Sequence, residues 1–317
     1  MSSFLDSSGK LYMGFIFHVG LYSFYAFGDV KESEKQNFKN GSECYLNNLI
    51  SDNGIKINKT CLNHSKYGSN FDYFRAPFHI SREAVCNWLD LCVSCKATYA
   101  IITSKHYDGF CLWPTKTQNP KSRDDILQIF KEECSKRNLI FGIYYSWYEF
   151  MNPMTIEYFE RTCIPQITEL LHYGPQMFWF DGDWMIKQKT IIDYIRQIIF
   201  LIRNNNIIVN DRITKELAKE LSSYKVGGLD KSTNRSFPSQ YTHNWQHINT
   251  IGLSWGYNSM QEPKDYKNGL ELMKLYQKTV SLGGNLLLNI GPKHDGSLDE
   301  NELLSIQQFI EIIKELK

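Results

Sequence analysis

The chain carries the stretch QMFWFDGDW at residues 176–184, in which a run of apolar side chains stops at Asp181 between aromatic neighbours. A short apolar run is typical of a strand buried on both faces, and the acid at its end indicates a side chain delivered into a pocket. Five further apolar runs lead to polar residues in the same way. Those residues are His18, His106, Tyr144 with Tyr145, Asn210 to Arg212, and Asn289. Together the six strand ends predict one site on a common rim.

Strand and helix patterns alternate along the chain, which predicts a parallel sheet covered by helices. Strands are expected near residues 11–18, 98–103, 139–146, 176–181, 206–210 and 285–291. Helices are expected near residues 81–96, 124–137, 155–173, 188–204, 266–282 and 299–316. The predicted fold is an α/β, TIM-like (β/α) barrel of one domain, residues 1–317, with some helices irregular or missing. An open doubly wound sheet is the alternative, although no Gly-rich phosphate turn follows the first strand.

Two regions show no clear strand or helix period. Residues 28–72 are polar and rich in turn residues, and residues 213–250 combine a short helical patch, Gly227-Gly228 and a loop rich in Ser, Asn and Gln. Long connections in a compact barrel usually shape the substrate pocket or move. We therefore expect residues 28–72 to form a long excursion after the first strand, and residues 213–250 to form a short helix followed by a loop.

The charge balance excludes several classes of partner. The chain has 35 basic and 34 acidic residues, a formal net charge of +1, so no overall field would attract nucleic acid or an anionic membrane. No apolar run reaches the roughly 18 residues of a membrane span, and the first thirty residues lack the pattern of a signal peptide. We expect a soluble chain acting on a neutral small substrate. A cytoplasmic location is favoured over a secreted or lysosomal one, and the oligomeric state stays open.

One cysteine pair has the spacing of a metal site. Cys92 and Cys95 form a CxxC, but the pair lies inside a helical pattern and no second pair completes a four-thiolate zinc site. Buried free thiols that behave as small apolar groups are the favoured interpretation. The sequence thus predicts no metal.

Eight segments resemble the retaining alpha-L-fucosidase family of glycoside hydrolases, from about residue 11 to residue 300. They are GFIFHVG (14–20), SECY (42–45), SKHYDGF (104–110), FGIYYS (141–146), WFDG (179–182), NDR (210–212), SWGYN (254–258) and GNLLLNIGP (284–292). Each segment is weak alone, but their common order and spacing make the resemblance specific. It implies a catalytic barrel that releases terminal alpha-L-fucose from a glycan or glycoconjugate, without cofactor or metal.

The resemblance implies that Asp181 is the catalytic nucleophile. Retaining hydrolysis needs one ionised carboxylate to attack the anomeric carbon, and a second carboxyl group about 5 Å away to protonate the leaving oxygen and later activate water. The alternative role of Asp181 is a helix N-cap, since an acid between strand and helix often has that role. Asp183 is favoured as the cap or as a supporting acid.

The resemblance implies an acid/base residue on a variable loop about a dozen residues before a Trp-Glu pair, which reads Trp245-Gln246 in this chain, and this count indicates Asp230. A solvated turn aspartate after Gly227-Gly228 is an equally good interpretation. Glu216 and Glu220 are the competitors. Their spacing relative to Leu217 and Leu221 is typical of an exposed helix face, which ranks them below Asp230.

A neutral sugar is held by hydrogen bonds to its hydroxyls and by stacking on its apolar face. By the resemblance, the residues that bind the fucose ring are His18, Glu43, His106, Tyr107, Tyr144 and Arg212, with Trp179 as an aromatic wall. Carboxylates accept from paired hydroxyls, imidazoles both donate and accept, and a guanidinium presents a fixed fork of donors. Taken singly, the histidines could equally be satisfied core residues, and Arg212 could pair with Asp211.

The chain departs from the family pattern in three places. Tyr107 stands where the family has the second histidine of KHHDGF, and Cys44 stands where it has the tryptophan of EWY. The C-terminal β-sandwich common in the family is not expected after the last helix. Altered sugar specificity is one consequence, and a fucose-binding pseudoenzyme that has lost its acid/base is another. A metal-dependent lyase or aldolase using His18, His106 and Asp181 is a third hypothesis, disfavoured because no close ligand pair occurs.

Overall fold

The computed structural model describes residues 11–28, 41–50, 73–228, 238, 240 and 244–315. Eight strands run parallel in the order β5-β4-β3-β2-β1-β8-β7-β6. Their bounds are β1 Met13–Phe17, β2 Tyr99–Lys105, β3 Ile140–Ser146, β4 Met177–Asp181, β5 Ile208–Val209, β6 Lys225–Gly228, β7 Trp245–Thr250 and β8 Asn285–Ile290. This is the strand order of a (β/α)8 barrel, and the predicted fold class is confirmed.

The strands at the two ends of this order, β5 and β6, are linked by isolated hydrogen bonds between residues in or beside them. The Ser223 amide donates to the carbonyl of Val209 (2.7 Å), and the Val226 amide donates to Oδ1 of Asp211 (3.1 Å). Asp211 is therefore engaged in closing the barrel. Arg212 forms an ion pair with Asp181, whose Oδ1 lies 3.4 Å from Nη1.

Helices follow most strands and cover the outside of the sheet. The longer ones are Arg82–Ser94, Ile126–Lys136, Ile164–Leu171, Lys189–Asn204, Lys215–Leu221, Gly269–Ser281 and Glu300–Lys314. Shorter helical turns are Tyr22–Tyr25, Ser42–Cys44, Tyr45–Ile50, Tyr73–Arg75, Ile156–Tyr158, the π-helical Phe159–Cys163, Asp183–Met185 and Pro263–Asp265. Ser81 caps the first long helix, because its hydroxyl accepts from the Ala84 amide at 3.1 Å.

The short helical patch predicted within residues 213–250 is confirmed, but the region also contains two strands that the sequence did not indicate. This region contains the helix Lys215–Leu221 and the strands β6 and β7. The sequences of the two strands, KVGG and WQHINT, are short and largely polar or glycine, so they lack the apolar run by which the other strands are recognised. Their pairing with β8 and with each other, and not their own propensity, makes them strands.

Two separate apolar layers hold the barrel. The larger lies between the sheet and the surrounding helices, and the smaller fills the barrel interior. Successive residues of one strand alternate between them: Tyr144 and Trp179 belong to the interior, whereas Tyr145 and Phe180 belong to the outer layer. This alternation decides which polar residue at a strand end can reach the interior cavity.

The cysteines support the thiol interpretation. The seven cysteines in the described part of the chain are all free, and Cys92 and Cys95 are fully buried in the outer layer. Burial raises the pKa of both thiols, which keeps them protonated. Across the described helices, none has both the length and the apolar character needed to cross a membrane.

A buried ion pair fastens two loops behind the cavity. Nζ of Lys105, at the end of β2, lies 2.6 Å from Oε1 of Glu149, and both side chains are at most 2% exposed. Lys105 also donates to the hydroxyls of Tyr145 and Tyr158. Burial favours the neutral form of Glu149, but Lys105 outweighs it and lowers the pKa of the carboxyl group. A dry pair of this kind is strongly destabilising when only one partner is removed.

Replacing Lys105 by Met should lower the free energy of unfolding by about 3–5 kcal/mol, because it leaves the Glu149 carboxylate buried without its cation. Urea unfolding monitored by circular dichroism measures the change. The matched control is Arg161→Met, which breaks an ion pair with Glu157 whose side chains are 79% and 68% exposed. The control should have a far smaller effect, and equal losses in the two variants would contradict the prediction.

Candidate active site

A cavity of about 700 Å³ lies at the carboxyl ends of the strands. It is lined by His18, Glu43, Cys44, Asn47, His106, Tyr107, Tyr144, Tyr148, Phe150, Trp179, Asp181, Asp183, Trp184, Ile186, Arg212, Thr214, Lys215, Ile248 and Trp255. All seven residues predicted to bind substrate are in this wall, together with the predicted nucleophile. The structure therefore brings into one place side chains from five strand ends and from the segment at residues 42–45.

Asp181 is the last residue of β4, and the backbone after it is specialised. Gly182 has a φ of 80°, and a Cβ at that position would lie 2.8 Å from Cβ of Tyr148. Glycine alone adopts this conformation without strain and leaves room for the neighbouring chain. The chain therefore turns sharply after Asp181 and leaves its carboxylate at the rim of the barrel.

The two carboxylate oxygens of Asp181 have different surroundings. Oδ2 accepts from the hydroxyls of Tyr107 and Tyr144, the second at 2.9 Å. Oδ1 lies 3.4 Å from Nη1 of Arg212 and accepts no hydrogen bond from the residues that the structure describes. The N-cap of the following turn is Gly182, and no side chain caps it. The alternative role of Asp181 as an N-cap is therefore wrong.

Arg212 supplies the positive charge beside Asp181. Its guanidinium lies between two indole rings, 5.6 Å from the centre of Trp179 and 5.6 Å from that of Trp184. Burial opposes the charge of the guanidinium, but Asp181 and the other acidic groups nearby together outweigh burial, so the pKa of Arg212 is raised. Arg212 is thus a fixed cation in the cavity wall.

The two predicted histidines are neutral at neutral pH. His18 follows β1, and its Nδ1 donates to Oδ1 of Asn289 at 2.5 Å, which leaves Nε2 as an acceptor. The Asn289 amide is oriented by its own donation to the carbonyl of Trp255 (2.6 Å). Burial lowers the pKa of His18 to about 4 and that of His106 well below its ordinary value. Neutral imidazoles can both accept from and donate to sugar hydroxyls.

The tyrosines beside Asp181 act as donors. Burial, followed by the charge of Asp181, raises the pKa of Tyr107 and of Tyr144 well above the ordinary tyrosine value. Both phenols therefore keep their protons at physiological pH. Tyr144 also stacks on Trp179, with ring centres 5.6 Å apart and planes 15° apart. The same tyrosine thus links the carboxylate to the aromatic wall.

Glu43 and Cys44 occupy the opposite part of the wall. The Glu43 carboxylate is buried, and Oε2 accepts from the hydroxyl of Ser254 (3.3 Å) and the amide of Gly256 (3.4 Å). Cys44 is buried next to it, and burial raises the pKa of its thiol. A neutral thiol offers neither the area nor the stacking surface of the tryptophan found at this position in the family pattern.

The candidates for the acid/base are not in the described cavity wall. Asp230 lies outside the described residues. Glu216 and Glu220 lie on the outer surface, where both bind Arg196, with Oε2 of Glu220 2.7 Å from Nη1. Ranking these glutamates below Asp230 agrees with their place on the exposed face of Lys215–Leu221.

Asp183, expected as the cap or as a supporting acid, lines the cavity, and the cap position is Gly182. Several other residues were not predicted as site residues: Tyr148, Phe150, Trp184 and Trp255 in the wall itself, and Gln246 behind it. Oε1 of Gln246 accepts from the indole nitrogen of Trp179 (2.9 Å) and so fixes the plane of that ring. Trp184 and Trp255 do fall inside recognisable segments, QMFWFDGDW and SWGYN. Gln246 gave no signal because β7 itself was not predicted.

Three buried polar atoms in residues of the wall have no hydrogen-bond partner among the described residues. They are Nδ1 of His106, Oδ1 of Asp181 and Nε of Arg212. Buried polar atoms are nearly always satisfied in folded proteins, so a cluster of exceptions in one cavity indicates groups held ready for a ligand. In the described part of the chain, no three His, Cys, Asp or Glu side chains are grouped as metal ligands would be.

The fold and the cavity define a class: (β/α)8 barrels with a polar, aromatic pocket at the carboxyl ends of the strands. A family profile narrows the class, because the profile of the alpha-L-fucosidase family matches residues 9–315. The chain belongs to the alpha-L-fucosidase family of glycoside hydrolases. This establishes the resemblance that the eight sequence segments indicated.

Individual relatives agree with the family. The chain is 29% identical to an alpha-L-fucosidase of Dictyostelium discoideum, over 95% of this chain and 68% of the relative. It is 32% identical to human plasma alpha-L-fucosidase, over 74% of this chain and 53% of the relative. The chain spans little more than half the length of most of the curated relatives it matches.

A solved structure extends the comparison. The alpha-fucosidase of Thermotoga maritima in complex with fucose superposes with a TM-score of 0.78 at 27% identity. The superposition covers 96% of this chain and 72% of the Thermotoga chain. The matched region is thus the whole barrel described above.

The stability of the fold should depend on pH through His18. Its pKa is about 4 in the folded chain against an ordinary value of 6.5, so the unfolded chain binds the proton first as the pH falls. The His18 contribution is complete above pH 6.5 and is lost progressively towards pH 4. From pH 7 to pH 5 the loss through this one group is about 2 kcal/mol.

Urea unfolding of the native chain and of His18→Gln at pH 7 and pH 5 tests this expectation. The difference between the two pH values should be about 2 kcal/mol smaller in the variant. The comparison uses the change with pH and not the absolute stability, so a packing defect in the variant cancels. The same pH dependence in both proteins would show that His18 is not held neutral by the fold.

Proposed function

We propose that this chain hydrolyses terminal alpha-L-fucose from a glycan or glycoconjugate with retention of configuration, through a covalent intermediate on Asp181. The observation that carries the proposal is the cavity wall: the Asp181 carboxylate, whose Oδ1 has no hydrogen-bond donor among the described residues, lies beside a fixed cation and among neutral donors and acceptors. Membership of the fucosidase family supports the choice of sugar.

The role of nucleophile is assigned to Asp181 because its two carboxylate oxygens have different neighbours. Arg212 places a positive charge beside Oδ1, and the two phenols donate to Oδ2, so Oδ1 is the oxygen whose lone pairs have no donor among the described residues. An ionised carboxylate in this state is suited to attack an anomeric carbon as the leaving oxygen departs. The same charge stabilises the positive character of the sugar ring in the transition state.

Recognition of a deoxy-sugar is assigned to the rest of the wall. His18 and His106 are neutral and offer donors and acceptors, and Glu43 offers a carboxylate to a pair of hydroxyls. Trp179, stacked against Tyr144 and held by Gln246, provides the flat apolar surface that sugar rings pack on. A wall of this kind selects a neutral ligand by direction of hydrogen bonds and not by charge.

The acid/base role is proposed for Asp230. It follows β6, whose neighbours β5 and β7 both precede segments that contribute to the cavity wall. The two competitors are engaged with Arg196 on the outer surface. A carboxyl group on the loop after β6 would come from the same rim as Asp181, which the two-carboxylate mechanism requires.

Replacing Asp181 by Ala should abolish release of 4-nitrophenol from 4-nitrophenyl alpha-L-fucoside, with a loss of at least about 10³-fold in kcat, because no other group can form the glycosyl ester. The control is Asp193→Ala, an exposed carboxylate on the helix Lys189–Asn204. The control should turn over substrate at the native rate, and circular dichroism should show both variants folded. Native turnover by Asp181→Ala would end the assignment.

A trapping experiment identifies the nucleophile directly. A 2-fluoro fucosyl reagent should add one fluoro-fucosyl unit to the intact mass, and the label should lie on the peptide that contains Asp181. Fucose binding by calorimetry without label and without turnover of the activated aryl substrate would favour the binding-protein hypothesis instead.

Substrates with different leaving groups distinguish an acid/base residue from a residue that only supports the fold, because only the loss of an acid/base depends on the leaving group. Asp230→Ala should lower kcat/KM for a fucosylated oligosaccharide by about 10²-fold or more, since a sugar leaving group needs protonation. The first step with the 4-nitrophenyl substrate should be much less affected because nitrophenolate leaves without a proton. Glu216→Ala and Glu220→Ala are matched controls. An equal loss with both substrates in Asp230→Ala would contradict the role.

A further inference from the structure

Tyr107 stands where the eight-segment resemblance has a histidine, and its side chain contacts the carboxylate of Asp181. Its hydroxyl donates to Oδ2 of Asp181, across 74 residues of sequence. Tyr144 donates to the same oxygen at 2.9 Å. Oδ1 is buried 3.4 Å from Nη1 of Arg212 and has no hydrogen-bond partner among the described residues. The carboxylate therefore has one oxygen with two donors and one oxygen whose lone pairs are not used by a donor in the described part of the chain.

Tyr107 is held firmly in this position. The amide of Phe150 donates to the carbonyl of Tyr107 at 2.7 Å. The ring lies against His106, with centres 4.1 Å apart, and meets the edge of Trp184 at 6.1 Å. Directly before this segment, Lys105 forms the buried pair with Glu149 that fastens the two loops. The phenol thus cannot swing away from Asp181 without disturbing several packed contacts.

We infer that Tyr107 is a positioning residue that occupies Oδ2 of Asp181, so that Oδ1 is the attacking oxygen and Oδ2 becomes the carbonyl oxygen of the glycosyl ester. This inference rests on the proposed retaining hydrolysis. It deepens that proposal by assigning separate roles to the two oxygens, and it gives a role to the tyrosine that replaces the histidine of the family.

The negative charge on Oδ2 of Asp181 is lost in the first step of hydrolysis and restored in the second, so the Tyr107 hydroxyl affects the two steps differently. In the first step a lone pair of Oδ1 forms the bond to the anomeric carbon, and the bond to the leaving oxygen breaks with its electron pair. Oδ2 then changes from a charged carboxylate oxygen to an ester carbonyl. In the second step water attacks the anomeric carbon and gives a proton to the general base. The bond to Oδ1 breaks, and its electrons restore the carboxylate.

The hydrogen bond to Oδ2 is stronger when the carboxylate carries its charge, because charge-assisted hydrogen bonds exceed neutral ones. It therefore assists the second step, in which the charge returns and Asp181 is the leaving group. It gives no such assistance to the first step, in which the charge is lost. Removal of the phenolic hydroxyl should slow breakdown of the ester more than its formation.

The test is Tyr107→Phe, which keeps the ring and removes only the donor. With 4-nitrophenyl alpha-L-fucoside, kcat should fall by about 10- to 100-fold, whereas kcat/KM should fall much less. KM should fall with kcat, and one equivalent of nitrophenol should appear in a rapid burst. The fucosyl ester should accumulate as a mass increase on the intact chain. In Tyr107→His, an imidazole N–H can replace the lost donor and should restore part of kcat.

The matched control is Tyr194→Phe, because the Tyr194 hydroxyl also donates to a carboxylate, Oε1 of Glu160 at 2.6 Å, but on the outer surface. It should leave both kinetic constants unchanged. A Tyr107→Phe protein that is folded, active and without a burst would overturn the inference alone. A raised KM with unchanged kcat would do the same, since it indicates substrate binding. Absence of turnover in the native chain would instead overturn the proposed function and, with it, the inference.

Discussion

The buried carboxylate of Asp181 is the constraint on which the arrangement of this barrel depends. A carboxylate withdrawn from water costs several kcal/mol unless charge and hydrogen bonds replace its hydration. Here Arg212 supplies the charge and two phenols supply hydrogen bonds to Oδ2. The partners come from the ends of β2, β3 and β5, so the carboxylate is stable only when these strands lie side by side around β4.

Successive side chains of each strand lie on opposite faces of the sheet, so one face lines the cavity and the other packs against the helices. Tyr144 faces the interior and contacts Asp181, while the next residue, Tyr145, faces the helices and accepts from Lys105. In β4, Trp179 faces the cavity, whereas Phe180 stacks on Trp147 at 4.4 Å in the outer layer. One short apolar sequence therefore builds both the packing that holds the barrel and the surface that meets the ligand.

The cavity combines one charged pair with a wall of neutral groups. Burial keeps His18 and His106 unprotonated and keeps Tyr107 and Tyr144 protonated, so the hydrogen-bonding roles of these side chains stay constant over the physiological pH range. A fixed pattern of donors and acceptors suits a neutral sugar. The replacement of a histidine by Tyr107 changes this pattern where it touches Asp181, and the change therefore concerns the carboxylate as much as the ligand.

Local sequence patterns predict much of the fold and part of the site. Six strands, the long helices and the meeting of His18, His106, Asp181 and Arg212 on one rim could be predicted, because apolar periodicity is a local property and parallel strands end on the same side. The strands β6 and β7 could not, since KVGG and WQHINT are held by their neighbours and not by their own composition. Gln246 was missed with them.

The sequence also contained Tyr107 and Asp181 without indicating that they touch. They touch because β2, β3 and β4 lie close together in the barrel. The same packing gives Oδ2 two phenol donors and leaves Oδ1 without a donor among the described residues. Residue type and order along the chain state which chemical groups are present and on which rim they lie. Which oxygen of a carboxylate meets which hydroxyl is a matter of a few tenths of an ångström, and long-range packing sets distances of that size.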